Sequence, residues 1–467
     1  MKKLIFKWII IIITFFIFLY AFSLTYSVYN IDNLNYVVAL ILDKADDPQM
    51  IQVTFEFLDI SSFSEDSSTT EASTILDTIT ATSIDSAINI MNSYSGKGIN
   101  LSTCKVVLFS KEVVLFSKEL AEKGIYEEVS DLINSTQIRP NVNVIVTTES
   151  AKYYIDNSTS PLEKILTKYY DVFTNSSKYI GYTSNITIGQ FYENFKNSNI
   201  GNIAILGGTN KSSIENKKKS TSDSQNDKSS ESTQSSENPI DTNKDQTEDT
   251  SQNSDQNTEQ NSSPNSESNS SAQVLPENMT PGNSGITGQR GTENMGLAVF
   301  SDYKCIGNLT AGETLARSII TNETSHFLIS VPDPFESDKR ISMNMSKNSD
   351  CKVNIDILDD HPVINITISL ESKINSIIDG VNYADNETLL KLEQASEEYL
   401  KNHMLDYLYK TSKDFKVDIT GFYHIAKKHF STIDDMNNYN WRDKYPNSEF
   451  NLTINSNLVS SLLVQNN

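Results

Sequence analysis

The stretch that decides the fold of this chain is Val363-Ile-Asn-Ile-Thr-Ile-Ser-Leu370, in which apolar and polar residues alternate. Three earlier segments repeat this period of two. Together the four predict strands at Phe327–Val331, Arg340–Ser346, Cys351–Leu358 and Val363–Lys373. Such alternation is typical of an antiparallel sheet that buries one face and exposes the other to water. We therefore predict a one-sided antiparallel sheet in this part of the chain.

Helical periodicity surrounds these strands. The longest helical signal runs from Glu387 to about Phe415, where leucines and a methionine recur at a spacing near 3.6. Further helices are predicted at Ala311–Thr321 and Gly421–Phe430, a hairpin at Gly296–Phe300 with Cys305–Leu309, and a final strand at Phe450–Leu458. These elements predict a C-terminal module over residues 291–467, in which helices pack on the antiparallel sheet. The fold class is α+β, in a multi-domain chain.

Residues 29–208 predict an N-terminal module of mixed α/β structure. Tyr36–Leu42 and Ile51–Leu58 are rich in β-branched and aromatic residues and flank a turn, so they are interpreted as a hairpin. Later strands are predicted at Lys105–Phe109, Val142–Thr147 and Asn202–Leu206, and helices near Ile84–Met91, Ile125–Ile133, Pro161–Phe173 and Ile188–Phe195.

One heptapeptide occurs twice in tandem within this module. Val106-Val-Leu-Phe-Ser-Lys-Glu112 is followed without change by a second copy over residues 113–119. A seven-residue unit is too short for a solenoid repeat, which needs about 20 residues or more. We expect the first copy to form a strand and the second to begin a helix through Leu120 and Ala121 that ends at Gly124.

Residues 209–290 form a predicted linker of different composition. Ser, Asn, Asp, Glu, Gln, Lys and Thr dominate it, with almost no aromatic or long aliphatic residues. Such a segment cannot bury enough apolar surface to offset the entropy of ordering it, so disorder is predicted. A flexible chain of this length spans on the order of 50 Å.

The overall charge excludes one large class of partner. The chain has 38 basic and 60 acidic residues, giving a formal charge of 38 − 60 = −22. Because a protein binds nucleic acid largely by placing basic groups on phosphates, we predict no nucleic-acid partner.

Catalytic and metal-binding motifs are not found in the sequence. Its three cysteines (Cys104, Cys305 and Cys351) show no zinc-binding spacing, although a single Cys104–Cys305 or Cys305–Cys351 disulfide stays open. No nucleophile elbow, zinc-protease motif or phosphate-binding loop occurs. We predict no enzyme, no metal and no cofactor. Trp441 and Tyr445 offer an anchor for a partner, but packing against the sheet is the favoured interpretation.

Residues 1–28 predict a membrane attachment. Trp8–Phe22 is an apolar run with one polar residue, Thr14, and lysines occur only on its N-terminal side. At about 1.5 Å per residue, the run and its apolar neighbours approach the thickness of a bilayer core. The positive-inside rule then places the rest of the chain outside the cytoplasm. We favour an uncleaved anchor over cleavage after Ala21-Phe22-Ser23, which has the residue pattern of a signal-peptidase site.

The order of these segments resembles the Ger(x)C family, the C subunit of nutrient germinant receptors in endospore-forming bacteria. Several segments carry the resemblance in combination: Asn33–Asp43, Cys104–Phe109 with Leu120–Ile125, Ile138–Val142, Ser160–Ile165, Gly296–Phe300 with Ile306–Leu309, Asp418–Phe422 and Trp441–Pro446. In this comparison Gly421, Phe422, Trp441 and Tyr445 belong to family motifs, with a structural or partner-contact role.

The chain departs from the family at its N-terminus. Family members are lipoproteins whose signal ends in a cysteine that carries the lipid. Ser27 stands where that cysteine would fall, so lipidation is excluded and Trp8–Phe22 itself is expected to hold the protein on the membrane. The tandem heptapeptide and the long linker also have no counterpart in the family.

The resemblance implies a non-enzymatic receptor subunit on the outer face of the inner spore membrane. It would assemble with two membrane-embedded receptor subunits, in a scaffold or coupling role during germination. An alternative is a tethered solute-binding protein that acts with a transporter, which predicts two similar lobes around a cleft. A second alternative is an exported hydrolase, for which the sequence offers no nucleophile and base.

Overall fold

The computed structural model has α+β architecture, as predicted, with two sheets. It describes residues 2–25, 33–47, 49–59, 74–110, 125–158, 170, 177–216, 275–288, 290–336, 338–375 and 385–459. The second heptapeptide copy, the helix predicted at Pro161–Phe173 and Ser27 fall outside the described residues.

The first sheet has nine strands within the described residues. Their bounds are β1 Leu34–Lys44, β2 Ile51–Leu58, β3 Thr74–Ala81, β4 Gly98–Asn100, β5 Val106–Ser110, β6 Asn143–Thr147, β7 Asn202–Thr209, β8 Thr292–Ser301 and β9 Lys304–Leu309. The order is β3-β2-β1-β5-β6-β7-β8-β9, with β4 beside β1. Strands β1, β5, β6 and β7 are parallel, whereas the outer pairs are antiparallel. The central strands are nearly continuous apolar runs because both of their faces are buried.

Helices of the first half precede and connect these strands. They are α1 Lys2–Thr25, α2 Ile84–Ser95, α3 Tyr126–Asn134, α4 Ala151–Asp156, α5 Ser177–Ile180 and α6 Ile188–Phe195. Helix α6 begins at a capping box in which Thr187 and Gln190 satisfy each other's backbone N–H groups. Strand β3 and helix α4 were not predicted, because Thr-rich and short segments carry weak periodicity. The described part of the first heptapeptide copy, Val106–Ser110, forms strand β5, as expected.

The second sheet has five strands among the described residues. They are β10 His326–Pro332, β11 Arg340–Lys347, β12 Lys352–Ile357, β13 Pro362–Ile374 and β14 Glu449–Leu458. Buried positions alternate along β13 with half-buried or exposed ones, which is the pattern predicted for a one-sided sheet. The final strand differs from the antiparallel expectation, because β14 runs parallel to β13. A long helical connection separates the two strands, and parallel strands require such a crossover.

Helices of the second half pack against this sheet and against one another. They are α7 Ala311–Ile320, α8 Asn386–Tyr409, α9 Tyr423–Ala426, α10 Ile433–Tyr439 and α11 Trp441–Lys444. Helix α8 continues as a π-helical turn over Lys410–Phe415. The helix predicted at Gly421–Phe430 is shorter in the structure, where α9 passes into a 3-10 turn that ends when Phe430 adopts extended backbone.

The β8–β9 hairpin lies in the first sheet, although the sequence analysis grouped it with the C-terminal module. Strand β8 pairs with β7 in antiparallel register, with Val299 opposite Ile203. Local pattern predicts a hairpin correctly but contains no information about which sheet edge it joins. As a result, one large apolar cluster includes residues of both sheets. A separate, smaller cluster covers the other face of β1, β5, β6 and β7 and includes residues of α4.

Both ends of the predicted linker are part of the folded body. Asn210 donates from Nδ2 to the carbonyl of Ile286 at 2.7 Å and also to the Glu293 carboxylate. Ile214 is buried in a helical turn over residues 211–216, and a 3-10 turn forms at Pro276–Asn278. Polar residues near the predicted bounds of 209 and 290 therefore find hydrogen-bond partners inside the fold. No disulfide joins the three cysteines, which are all buried.

Candidate functional site

Three of the four predicted motif residues lie in the protein core. Phe422, Trp441 and Tyr445 are each about 1% exposed. The Trp441 and Tyr445 rings are tilted against each other with centroids 5.9 Å apart. Gly421 forms the turn before α9 with a φ of +83°, a left-handed conformation that favours glycine. These side chains therefore pack inside the second half and leave Gly421 alone near the surface.

Asp418 organises the backbone around this turn. Its Oδ1 accepts hydrogen bonds from the N–H groups of residues 420, 421 and 422 at 3.1, 2.8 and 3.2 Å, and its Oδ2 accepts one from Tyr423 at 2.8 Å. The carboxylate thus satisfies the free N–H groups at the start of α9. Burial raises the Asp418 pKa, and the four N–H donors oppose that rise.

Arg317 of α7 reaches the same turn from another direction. Its Nε donates to the carbonyl of Ile419 at 3.0 Å, and its Nη1 donates to Glu323 at 2.7 Å. Ser184, from the first half of the chain, donates a short hydrogen bond to the other Glu323 oxygen. Burial pushes the Glu323 pKa up, but Arg317 and Ser184 outweigh burial and lower that pKa. Glu323 is therefore an ionised partner for Arg317.

Two buried tyrosines complete the polar contacts. The Tyr407 hydroxyl lies 2.7 Å from the Thr420 hydroxyl, and the Tyr445 hydroxyl lies 2.9 Å from that of Thr411. Burial raises the pKa of both tyrosines, so both hydroxyls are neutral and act only as hydrogen-bonding groups.

Gly201 joins this region to the first sheet. Its N–H donates to the carbonyl of Asp418 at 2.9 Å. Nearby, Arg442 of α11 forms an ion pair of 2.6 Å with Asp302 in the β8–β9 turn. We call Gly201, Arg317, Glu323, Asp418 and their hydrogen bonds the Asp418 junction. It fastens the turn before α9 to α7 and to the start of β7.

The chemistry available at the Asp418 junction is structural. Its carboxylates and hydroxyls are occupied by hydrogen bonds within the protein, whereas acid–base catalysis needs groups that face a substrate. Among the residues that the structure describes, no cluster of three or more His, Cys, Asp or Glu side chains could hold a metal ion.

The N-terminal helix α1 differs in character from the folded body. Its large side chains from Ile5 to Phe18 are about half or more exposed, including Trp8 at 60% and Phe16 at 64%. Within the described part of the chain, no helix reaches the length and hydropathy expected of a membrane span.

Two family models match the two halves of the chain. Residues 27–207 match the spore germination protein N-terminal domain, and residues 295–461 match the C-terminal domain described as spore germination B3/GerAC like. Together they include β1 to β7 and the whole second sheet. The chain belongs to the Ger(x)C family. Membership implies a germinant receptor C subunit with a role in spore germination and a membrane-associated location.

Comparison with solved structures gives a distant match to a family member. The crystal structure of the GerBC protein is 13% identical, with a TM-score of 0.47, and the alignment covers 90% of this chain and 96% of that one. No curated protein sequence matches this Ger(x)C chain significantly.

Sequence analysis identified one segment of the Asp418 junction as a family motif but predicted no contacts for it. The segment Asp418–Phe422 was singled out, and an Asp ahead of a Gly turn is a recognisable signal for backbone capping. The sequence contains no signal for Gly201, Arg317 or Glu323. Their roles depend on contacts between residues more than 100 positions apart, such as the contact of Arg317 with Ile419 and that of Ser184 with Glu323.

Proposed function

We propose that this Ger(x)C chain is a non-enzymatic scaffold that couples its receptor partners mechanically at the spore membrane. The observation that supports this role most is the Asp418 junction. It ties the turn before α9 to α7 and to the residue that precedes β7, and the larger apolar cluster includes residues of both sheets. A rigid body of this kind can present separate surfaces to two membrane-embedded receptor subunits at a constant spacing.

Helix α1 is the proposed attachment to the membrane. Its exposed apolar side chains cannot be stabilised by water, and an apolar run of this composition partitions into lipid. Since Ser27 cannot carry a lipid, α1 is the segment of this chain with the chemistry for the task.

Membrane attachment is tested by comparing the full chain with a variant that lacks residues 2–25. Membranes from cells that produce each protein are washed with alkaline carbonate, and the fractions are probed. The full chain should stay in the membrane pellet, and the variant should move to the supernatant. A variant that remains in the pellet would contradict attachment through α1.

The scaffold role is tested by purifying the full chain from detergent-solubilised spore membranes. We expect two multi-span receptor subunits to co-purify in constant proportion to it. The matched variant carries Arg317→Met, which loosens the Asp418 junction but alters no exposed surface. It should still reach the membrane and should lower nutrient-triggered germination. Normal germination with a demonstrably loosened junction would contradict mechanical coupling.

The solute-binding alternative receives no support from the architecture. Such a protein needs a cleft between two similar lobes, whereas this chain combines a nine-stranded mixed sheet with a five-stranded sheet of different topology.

A further inference from the structure

An open pocket borders the Asp418 junction in the second half of the chain. It lies between the end of α7, the start of β12 and the segment around α9, and its empty volume is about 1010 Å³, including space open to the solvent. The lining side chains that matter here are Asn322, Lys352, Val353, Phe422, Ile425 and Lys428. Because its walls come from three separate elements of the folded body, the pocket is built by tertiary structure.

The rim of this pocket is basic in a strongly acidic protein. Lys352 and Lys428 line it, and Lys427 is the sequence neighbour of Lys428; all three are exposed. Within the described residues, none of these three lysines forms an ion pair with a carboxylate. With 60 acidic residues against 38 basic ones, such a group of unpaired cations is unexpected.

The charges around the pocket act on neighbouring groups. Burial and the nearby positive charges of Lys427 and Lys428 lower the pKa of His424, which favours its neutral form. Asp350 is the acidic neighbour on the β12 side, and it lies close enough to influence Lys347 and Cys351. Lys347 is occupied by Asn322 at 2.6 Å. The ammonium groups of Lys352 and Lys428 are therefore available to bind an anionic ligand.

Apolar side chains line the pocket together with the two lysines. Val353 and Ile425 are half-buried and line the pocket, and Phe422 lies beneath them in the core. A ligand that fits this surface has an apolar middle part and negative groups at its ends, since burial of apolar area adds to the attraction between charges.

We propose that this pocket binds a small dicarboxylate, with its two carboxylates paired to Lys352 and Lys428 and its apolar chain on Val353 and Ile425. A compact anion such as inorganic phosphate uses only the lysines and gains nothing from the apolar walls.

A chain-length series tests the proposal. The full chain in non-ionic detergent is titrated by calorimetry with succinate, adipate and suberate at low ionic strength. The neutral 1,6-hexanediol and inorganic phosphate serve as controls. We expect saturable binding of one dicarboxylate per chain, an optimum at one chain length, and weakening by salt. Absence of saturable binding by all three dicarboxylates, or equal binding of hexanediol or phosphate, would overturn the proposal.

Variants then locate the site. Lys352→Gln and Lys428→Gln should each weaken the best dicarboxylate about fivefold, and the double variant more than either, as expected for exposed ion pairs. Lys401→Gln is the matched control, because Lys401 is an exposed lysine of α8 away from the pocket. Unchanged affinity in the double variant, or an equal loss of affinity in the control, would show that the dicarboxylate binds elsewhere and would contradict the proposal. Unchanged melting temperatures show that all of the variants fold.

Discussion

At the scale of single residues, Gly201 shows how closely the two halves approach. A Cβ built on this glycine would lie 1.9 Å from Cγ1 of Val417 and 2.9 Å from Cγ2 of Ile419. Both neighbours are buried and flank Asp418 in sequence, so they have little room to move. The absence of a side chain at position 201 is what allows its N–H to reach Asp418.

Gly201→Ala should therefore lower the free energy of unfolding by about 1–3 kcal/mol, the usual cost of overpacking a core. The measurement is urea denaturation followed by circular dichroism. Gly288→Ala is the matched control, because a Cβ at Gly288 would meet no atom within 4 Å. Equal stability of the two variants would show that the close approach at Gly201 can relax.

Glu56 is a buried carboxyl group within the first sheet. Its side chain lies in the core of β2, and the Tyr170 hydroxyl donates to it at 3.3 Å. Burial raises the Glu56 pKa to about 7, against the opposing effect of hydrogen bonds from Thr74 and Tyr170. The folded state therefore holds this proton in a range of pH where an unfolded chain, with its ordinary value of 4.5, releases it.

The free energy of unfolding should consequently fall as pH rises from about 4.5 to about 7, since the unfolded state then binds fewer protons than the folded state. Glu56→Gln removes this penalty. Between about pH 5 and about pH 8, the free energy of unfolding of the variant should therefore fall by about 3 kcal/mol less than that of the unaltered protein. Urea denaturation at the two pH values provides the measurement, with exposed Glu398→Gln as the control. A variant that keeps the original pH dependence would exclude Glu56 as its source.

At the scale of elements, helix α7 contacts segments of the second half that lie about 100 residues away in the sequence. It starts at a capping box formed by Thr310 and Glu313, and that Glu also pairs with Lys410 beyond α8. Its Arg317 is 8% exposed and holds both Glu323 and the Ile419 carbonyl. The helix was predicted from periodicity alone, but its function as a connector depends on the buried arginine.

Arg317→Met should destabilise the protein by about 1–3 kcal/mol, because it leaves the Ile419 carbonyl without its donor and removes the ion pair with Glu323, whose side chain is 35% exposed. The double variant Arg317→Met/Glu323→Gln should recover part of that loss, since it removes the unpaired charge. Thermal and urea unfolding measure both. The control is Lys339→Met, which removes an exposed ion pair with Glu336 and should leave stability unchanged. A double variant as unstable as the single one would show that the ion pair is not the source of the loss.

At the scale of the whole molecule, the two family-matched halves share a sheet and a core. Strands β8 and β9 follow the predicted linker in sequence yet cover the edge of β7 in the first sheet. A fragment that stops near residue 208 would therefore expose that edge and lose apolar contacts from Leu297 to Phe300.

We expect the fragment 29–208 to aggregate or remain unfolded, whereas the chain without residues 220–271 should melt like the full chain. The low apolar content of that deleted segment is the reason for the second expectation. Circular dichroism and gel filtration measure both. A well-folded monomeric fragment, or slow backbone hydrogen exchange across residues 220–271 of the full chain, would contradict these expectations.

The sequence by itself determined the local elements and the family. Alternation along Val363–Leu370 predicted a one-sided sheet, and combinations of short motifs predicted Ger(x)C membership, because side-chain period and motif order are properties of neighbouring residues. Only the tertiary structure decided that β8 joins β7, that β14 runs parallel to β13, and that Arg317, Glu323 and Gly201 meet at Asp418. These contacts join residues far apart in the chain, and their free energy depends on packing and burial that appear only once the chain has folded.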